Sequence, residues 1–207
     1  IASERVISRR SHGRMRRLRN PSMTICPASV PVMVEDWPEA SSATAKAVAA
    51  ISSPIDLAAG GHAIGRGFNR LVYTRMFLRT MKPRALAKLA QHPGLFSREQ
   101  LLAARDLYEF DNVFTAPLHG FRDTGDYWAR GSAKPHLHRI RIPALVLNAL
   151  NDPFVPGSSL PRVHEVGEHV TLWQPRHGGH VGFPGGRWPG HVMTLPEQVM
   201  GWLARHL

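Results

Sequence analysis

Residues 142–153, Ile-Pro-Ala-Leu-Val-Leu-Asn-Ala-Leu-Asn-Asp-Pro, decide the fold. The run from Ile142 to Leu150 is apolar almost throughout, without the alternation of a half-solvated strand, and Asn151-Asp152-Pro153 closes it with turn-forming residues. It reads as a strand buried on both faces of a parallel sheet, with Asp152 just past its carboxyl end. A second run, Lys46-Ala-Val-Ala-Ala-Ile-Ser-Ser-Pro54, has the same character and predicts a strand near 47–52. A third, Val170–Trp173, leads into the glycine-rich loop Arg176-His-Gly-Gly-His-Val-Gly-Phe183.

Helical patterns fill the space between. From Phe68 to Leu89 the apolar residues Phe68, Leu71, Val72, Met76, Phe77, Leu86 and Leu89 recur at helical spacing, and Pro83 is expected to divide them into two helices. Ser97, with Gln100 three positions on, opens a further helix expected to run towards Tyr108. Residues 123–133 predict a helix ending near Gly131, and Leu195 to Leu207 an amphipathic one with Pro196 in its first turn. Strand, helices, strand, strand, helix is the order of an α/β chain with a parallel sheet, whose reactive loops lie at the strand carboxyl ends.

That rule brings Asp152 and His180 to one edge of the sheet. A carboxylate bonded to one imidazole nitrogen fixes the tautomer and stabilises the imidazolium formed when the other nitrogen takes a proton. Spacing alone leaves the bland alternative open, because Asn-Asp-Pro is an ordinary turn and the chain has 12 histidines.

Several segments together carry a resemblance: Leu147-Asn-Ala-Leu-Asn-Asp-Pro-Phe-Val-Pro156, His177-Gly-Gly-His-Val-Gly-Phe183, Ile51-Ser-Ser-Pro-Ile-Asp56, Gly67-Phe-Asn-Arg70, Phe110-Asp111, His119-Gly120 and Asp126-Tyr-Trp128. Over about residues 45–207 the chain resembles the YheT-like family of α/β-hydrolases. The resemblance implies a partial α/β-hydrolase fold with a helical cap over about residues 57–135. It also implies that Asp152 is the acid and His180 the general base of a Ser-His-Asp esterase, a short-chain carboxylesterase or an acylglycerol lipase-like enzyme. The implied substrate is a small-molecule or lipid ester, attacked through an acyl-enzyme, with no cofactor and no metal.

The family pattern also requires a G-x-S-x-G nucleophile elbow before the first of these strands. Pro27-Ala-Ser29-Val-Pro31 has proline at both glycine places, and Arg9-Arg-Ser11-His-Gly13 keeps one glycine. Ser29 and Ser11 are therefore weak candidates for the nucleophile, and no oxyanion loop of His-Gly type has a counterpart. The chain opens on Ile1, and the expectation is a carboxyl-terminal hydrolase portion at 45–207 behind an atypical, poorly ordered segment at 1–44, truncated or out of frame.

With 43% hydrophobic content the 207 residues suffice for a sizeable core, so wholesale disorder is disfavoured. No apolar run reaches the length of a membrane span, no secretory leader is recognisable, and Cys26 stands alone, so cytoplasm is the default expectation. The net charge of +11 is uneven. Seven arginines between Arg5 and Arg19 face only Glu4, whereas the charge beyond residue 40 is scattered rather than gathered in a stripe with aromatics. Nucleic-acid binding is not expected; the rival reading is a non-catalytic basic protein that binds through Arg5–Arg19.

Other features have bland readings. Residues 60–67, Gly-Gly-His-Ala-Ile-Gly-Arg-Gly, match no phosphate-loop spacing and read as a flexible entrance to the cap. His136, His138, His177 and His180 lack an acidic partner at metallohydrolase spacing. His177 reads as a loop residue beside the base, Tyr127 and Trp128 as packing residues able to line an acyl pocket, and Asp56 and Asp111 as helix caps or surface pairs.

Overall fold

A computed structural model of the chain describes residues 45–188 and 190–206. Arg5–Arg19, Ser11, Ser29 and the rest of segment 1–44 lie outside the described residues. The three strands are β1 (Val48–Ile51), β2 (Ala144–Leu147) and β3 (Val170–Trp173), parallel and in the order β1-β2-β3, with Ala144 beside both Val48 and Val170 and Leu147 beside both Ile51 and Trp173.

Every residue of β2 is buried, as a central parallel strand requires. Leu145 and Leu147 pack with Ala149, Phe183, Val199 and Trp202, so the carboxyl-terminal helix α8 (Thr194–Ala204) covers one face. Val146 points the other way, onto Ile55 and Leu137, with Val170 and Leu172 beside them. Both faces being apolar explains the missing alternation in the sequence. β2 is shorter than its apolar run because Pro143 has no N–H to donate and the chain turns at Asn151. Ladder-like bonds from Asn148 N to Trp173 O (3.1 Å) and Leu150 N to Pro175 O (2.8 Å) nevertheless carry it to that turn.

Between β1 and β2 lies the cap: α1 (Leu57–Ile64), α2 (Gly67–Asn69), α3 (Arg75–Gln91), α4 (Arg98–Ala103), α5 (Leu107–Phe110), α6 (Ala116–Leu118) and α7 (Thr124–Gly131). Four expectations need correction here. Pro83 lies inside an unbroken α3; it and Arg79, whose carbonyl loses its donor, are both exposed, so the carbonyl is open to solvent. The departure from regular helix comes earlier, in a π-helical stretch at Arg70–Thr74. Ser97 does cap α4, accepting from Gln100 N at 3.2 Å, but α4 stops at Ala103 because Asp106 starts a helix of its own, accepting from Glu109 N at 2.9 Å. Gly60 and Gly61 belong to α1 rather than to a flexible loop; a Cβ on Gly61 would stand 2.4 Å from the Trp128 ring, so the glycine permits close packing of α1 on α7.

The fourth correction concerns Asp111. Asp56 caps α1, accepting from Ala59 N at 2.9 Å, but Asp111, the residue that ends α5, turns its side chain neither to a capping bond nor to a surface pair. Its carboxylate is buried in the cap, where it accepts from Thr115 Oγ1 at 2.6 Å and from Trp128 Nε1 at 3.0 Å. Burial raises its pKa from 3.8 to about 6 against the pull of those two bonds. Between these values the folded chain keeps a proton that the unfolded chain releases, so stability falls as pH rises through the window and is level above it. The whole fall amounts to about 3 kcal/mol. Asp111→Asn is expected to remove that slope, so that urea unfolding at about pH 4 and pH 7 shows a smaller acid-to-neutral loss than in the native chain. Parallel pH profiles for the two would contradict this placement of the charge.

Candidate functional site

Asp152 follows the carboxyl end of β2 and His180 the carboxyl end of β3, and the structure joins them: His180 Nδ1 lies 2.9 Å from Asp152 Oδ2. The Asp152 side chain is fully buried, while that of His180 is 38% exposed. Oδ1 of Asp152 accepts from the backbone N–H of Phe154 at 2.8 Å and of Val155 at 3.3 Å, so the turn at Asn151-Asp152-Pro153 holds the carboxylate through one oxygen and leaves the other for the imidazole. This division of labour is what a fixed tautomer needs.

The loop that carries His180 is held from several sides. Asn151 Oδ1 accepts from Gly179 N at 3.0 Å, and Gly182 N and Phe183 N both donate to the carbonyl of Gly178. A Cβ on Gly178 would stand 2.5 Å from the Phe183 ring and 2.9 Å from the Ala149 Cβ, so only glycine lets the loop lie this close to the core. The ring of Phe154 meets the His180 ring edge-on at 4.8 Å between centroids. Tyr73 and Phe77 approach Phe154 in turn, at 4.6 and 6.4 Å, so an aromatic run leads from the imidazole into the cap.

Sequence reasoning missed Phe154 and Asn151, although both flank the aspartate it singled out. Ser52 was missed too: buried at the end of β1, it donates its hydroxyl to the backbone carbonyl of His180. His177 is exposed, and the structure gives it no bond to Asp152. Among the described residues no three His, Cys, Asp or Glu side chains gather as a metal would need, and no helix is long and apolar enough to cross a membrane. Tyr127 and Trp128 are buried with Leu57 and Ala116. Trp128 also borders a cleft of about 70 Å³ in the cap with His62, Arg66 and Tyr108.

None of the six serines among the described residues is hydrogen-bonded to His180 Nε2. Four of them commit the hydroxyl elsewhere: Ser52 to His180 O across the fold, and Ser97 to Glu99, Ser132 to Trp128 O and Ser159 to Pro156 O locally.

Comparison with known proteins agrees with the fold. The chain is 37% identical over 159 residues to YheT of Escherichia coli K12, whose name marks its esterase assignment as provisional; the match takes in 76% of this chain and 46% of YheT. It is 37% identical over 92 residues to the mouse phospholipase ABHD3 (44% of this chain, 22% of that protein). It is 34% identical over 87 residues to the human monoacylglycerol lipase ABHD2 (41% and 20%). The chain thus spans about half the length of YheT and about a fifth of the two lipases. No family model and no solved structure matches it.

Proposed function

Since this chain belongs to the α/β-hydrolase family that includes YheT, we propose that its described residues supply the acid and the base of a carboxylic-ester hydrolase. The observation that carries the reading is the 2.9 Å bond between a wholly buried Asp152 and a part-exposed His180 at adjacent strand ends. Asp152 Oδ2 accepts the Nδ1 proton, which leaves the lone pair on Nε2 to take a proton from an attacking hydroxyl. As that hydroxyl adds to the ester carbonyl, the imidazole becomes imidazolium beside a carboxylate. The proton then passes to the departing alkoxide, leaving an acyl-enzyme. Water, deprotonated by the same Nε2, releases the acid and restores the nucleophile.

The attacking hydroxyl belongs outside the described residues in this reading, and residues 45–207 act as the acid–base portion of the hydrolase. An acyl ester suits the surroundings better than a polar substrate does. The aromatic run from His180 through Phe154 to Tyr73 and Phe77 continues into a cap helix surface on which Phe68, Leu71, Val72 and Met76 are exposed. The test is a substrate panel in which the folded chain is given p-nitrophenyl esters, p-nitroanilides and bis-p-nitrophenyl phosphate, each read by the yellow nitrophenolate or nitroaniline it releases. Turnover confined to the carboxylic esters supports the proposal, and preference for the phosphodiester or the anilide refutes it.

A further inference from the structure

Ser52 stands at the first position beyond β1, where its N–H still donates to Leu147 O at 2.7 Å. There the chain leaves the extended conformation abruptly: Ser52 has φ of 51°, and Phe183 is the other non-glycine residue with positive φ among those described. The residue is 2% exposed, and its Oγ donates to the carbonyl oxygen of His180, a contact between residues 128 positions apart. The bond runs from the end of β1 to the loop that follows β3. It therefore closes over the end of β2, from which Asp152 emerges.

We propose that Ser52 is a positioning residue for His180, its hydroxyl holding the histidine backbone while Asp152 holds the ring, so that the two anchors together fix the direction of Nε2. The inference rests on the reading of Asp152 and His180 as the acid–base pair. An imidazole bonded at Nδ1 alone still swings if its backbone shifts, and a general base loses efficiency steeply when its acceptor nitrogen is displaced. Removing the hydroxyl also leaves a carbonyl without its partner, which favours a rearranged loop.

The same place in the fold raises a rival. A serine of positive φ between a strand and a helix has the outline of a nucleophile elbow. Here the two places the elbow gives to glycine hold Ala50 and Pro54, and the one hydroxyl proton goes to a carbonyl and not to Nε2. The residue is also too buried for an ester to reach.

Ser52→Gly separates the hydroxyl from the backbone, because glycine adopts φ of 51° without strain and removes only the side chain. The readout is proton NMR of the full chain, following the downfield Nδ1–H resonance of His180, assigned by its disappearance in His180→Ala. The expected result is loss of that resonance in Ser52→Gly through faster exchange with water, with the remaining amide spectrum unchanged. The near-isosteric Ser52→Cys, a weaker donor, gives the same result should the glycine variant fold poorly. Retention of the resonance in a folded variant overturns the proposal, as does covalent labelling of Ser52 by a serine-reactive phosphonate. The resonance is read without substrate, so absence of ester turnover would count against the proposed activity and not against this role of Ser52.

Discussion

Replacing His180 by alanine in the folded chain is expected to slow hydrolysis of an activated ester, p-nitrophenyl acetate, by about 10²-fold, the scale of a positioned general base. Such an ester needs no serine: water deprotonated by Nε2 attacks it directly, and Asp152 Oδ2 steadies the imidazolium that forms. The melting temperature should stay close to that of the native chain. The His180 ring is 38% exposed, and its loop is held independently by the Asn151–Gly179 bond and by Gly178 against Phe183. Asp152→Asn is expected to act in the same direction by a different route. An asparagine oxygen can still accept from Phe154 N and Val155 N, but its NH2 then meets Nδ1 and selects the tautomer with the proton on Nε2. Equal rates for native chain and His180→Ala would remove the imidazole from the mechanism.

Trp128→Ala is expected to have the largest effect on stability, a loss of about 3–5 kcal/mol measured by urea unfolding. Trp128 is 5% exposed and central to the cap. Its ring lies against Gly61 of α1 and meets His62 and Tyr108 edge-on, both at 5.4 Å. Its Nε1–H also donates to the buried Asp111 carboxylate. Truncation opens a cavity between α1 and α7 and strips a buried acid of one of its two donors, and these costs add. Trp128→Phe keeps most of the volume and loses the bond, so it should lie between native and alanine. A loss below about 1 kcal/mol for the alanine variant, less than a typical core truncation, would show that the cap does not pack around this residue.

How far the sequence could be read depended on the range of the interaction. β3 was legible to the residue, and β1 and β2 were legible as strands; for β2 the reason is that a central parallel strand needs apolar side chains on both faces, whereas β1, the outer strand beside it, has the same apolar run but leaves Val48 and Ile51 exposed. Asp152 and His180 followed from the same logic, since strand ends of one sheet converge. Caps at Ser97 and Asp56 were legible because the bonded atoms lie three residues apart, at 3.2 and 2.9 Å. The helix break at Asp106 carries a signal of the same kind and was overlooked beneath a longer apolar pattern. Pro83 misled because its cost depends on whether the abandoned carbonyl meets water, which no local pattern records. The bond from Trp128 to Asp111, the glycine beside Trp128 and the hydroxyl on the His180 carbonyl join residues 17, 67 and 128 positions apart, and only the fold brings them together.

The central claim is that the described residues provide acid and base but not the attacking hydroxyl. Incubation of the folded chain and of His180→Ala with a fluorescent serine-reactive phosphonate, followed by mass mapping of every labelled peptide and with an active serine hydrolase run in parallel, tests it most directly. The account predicts no His180-dependent adduct on Ser52, Ser53, Ser97, Ser132, Ser158 or Ser159. An adduct on any of these six that vanishes in His180→Ala would place the nucleophile inside the described fold and contradict the account.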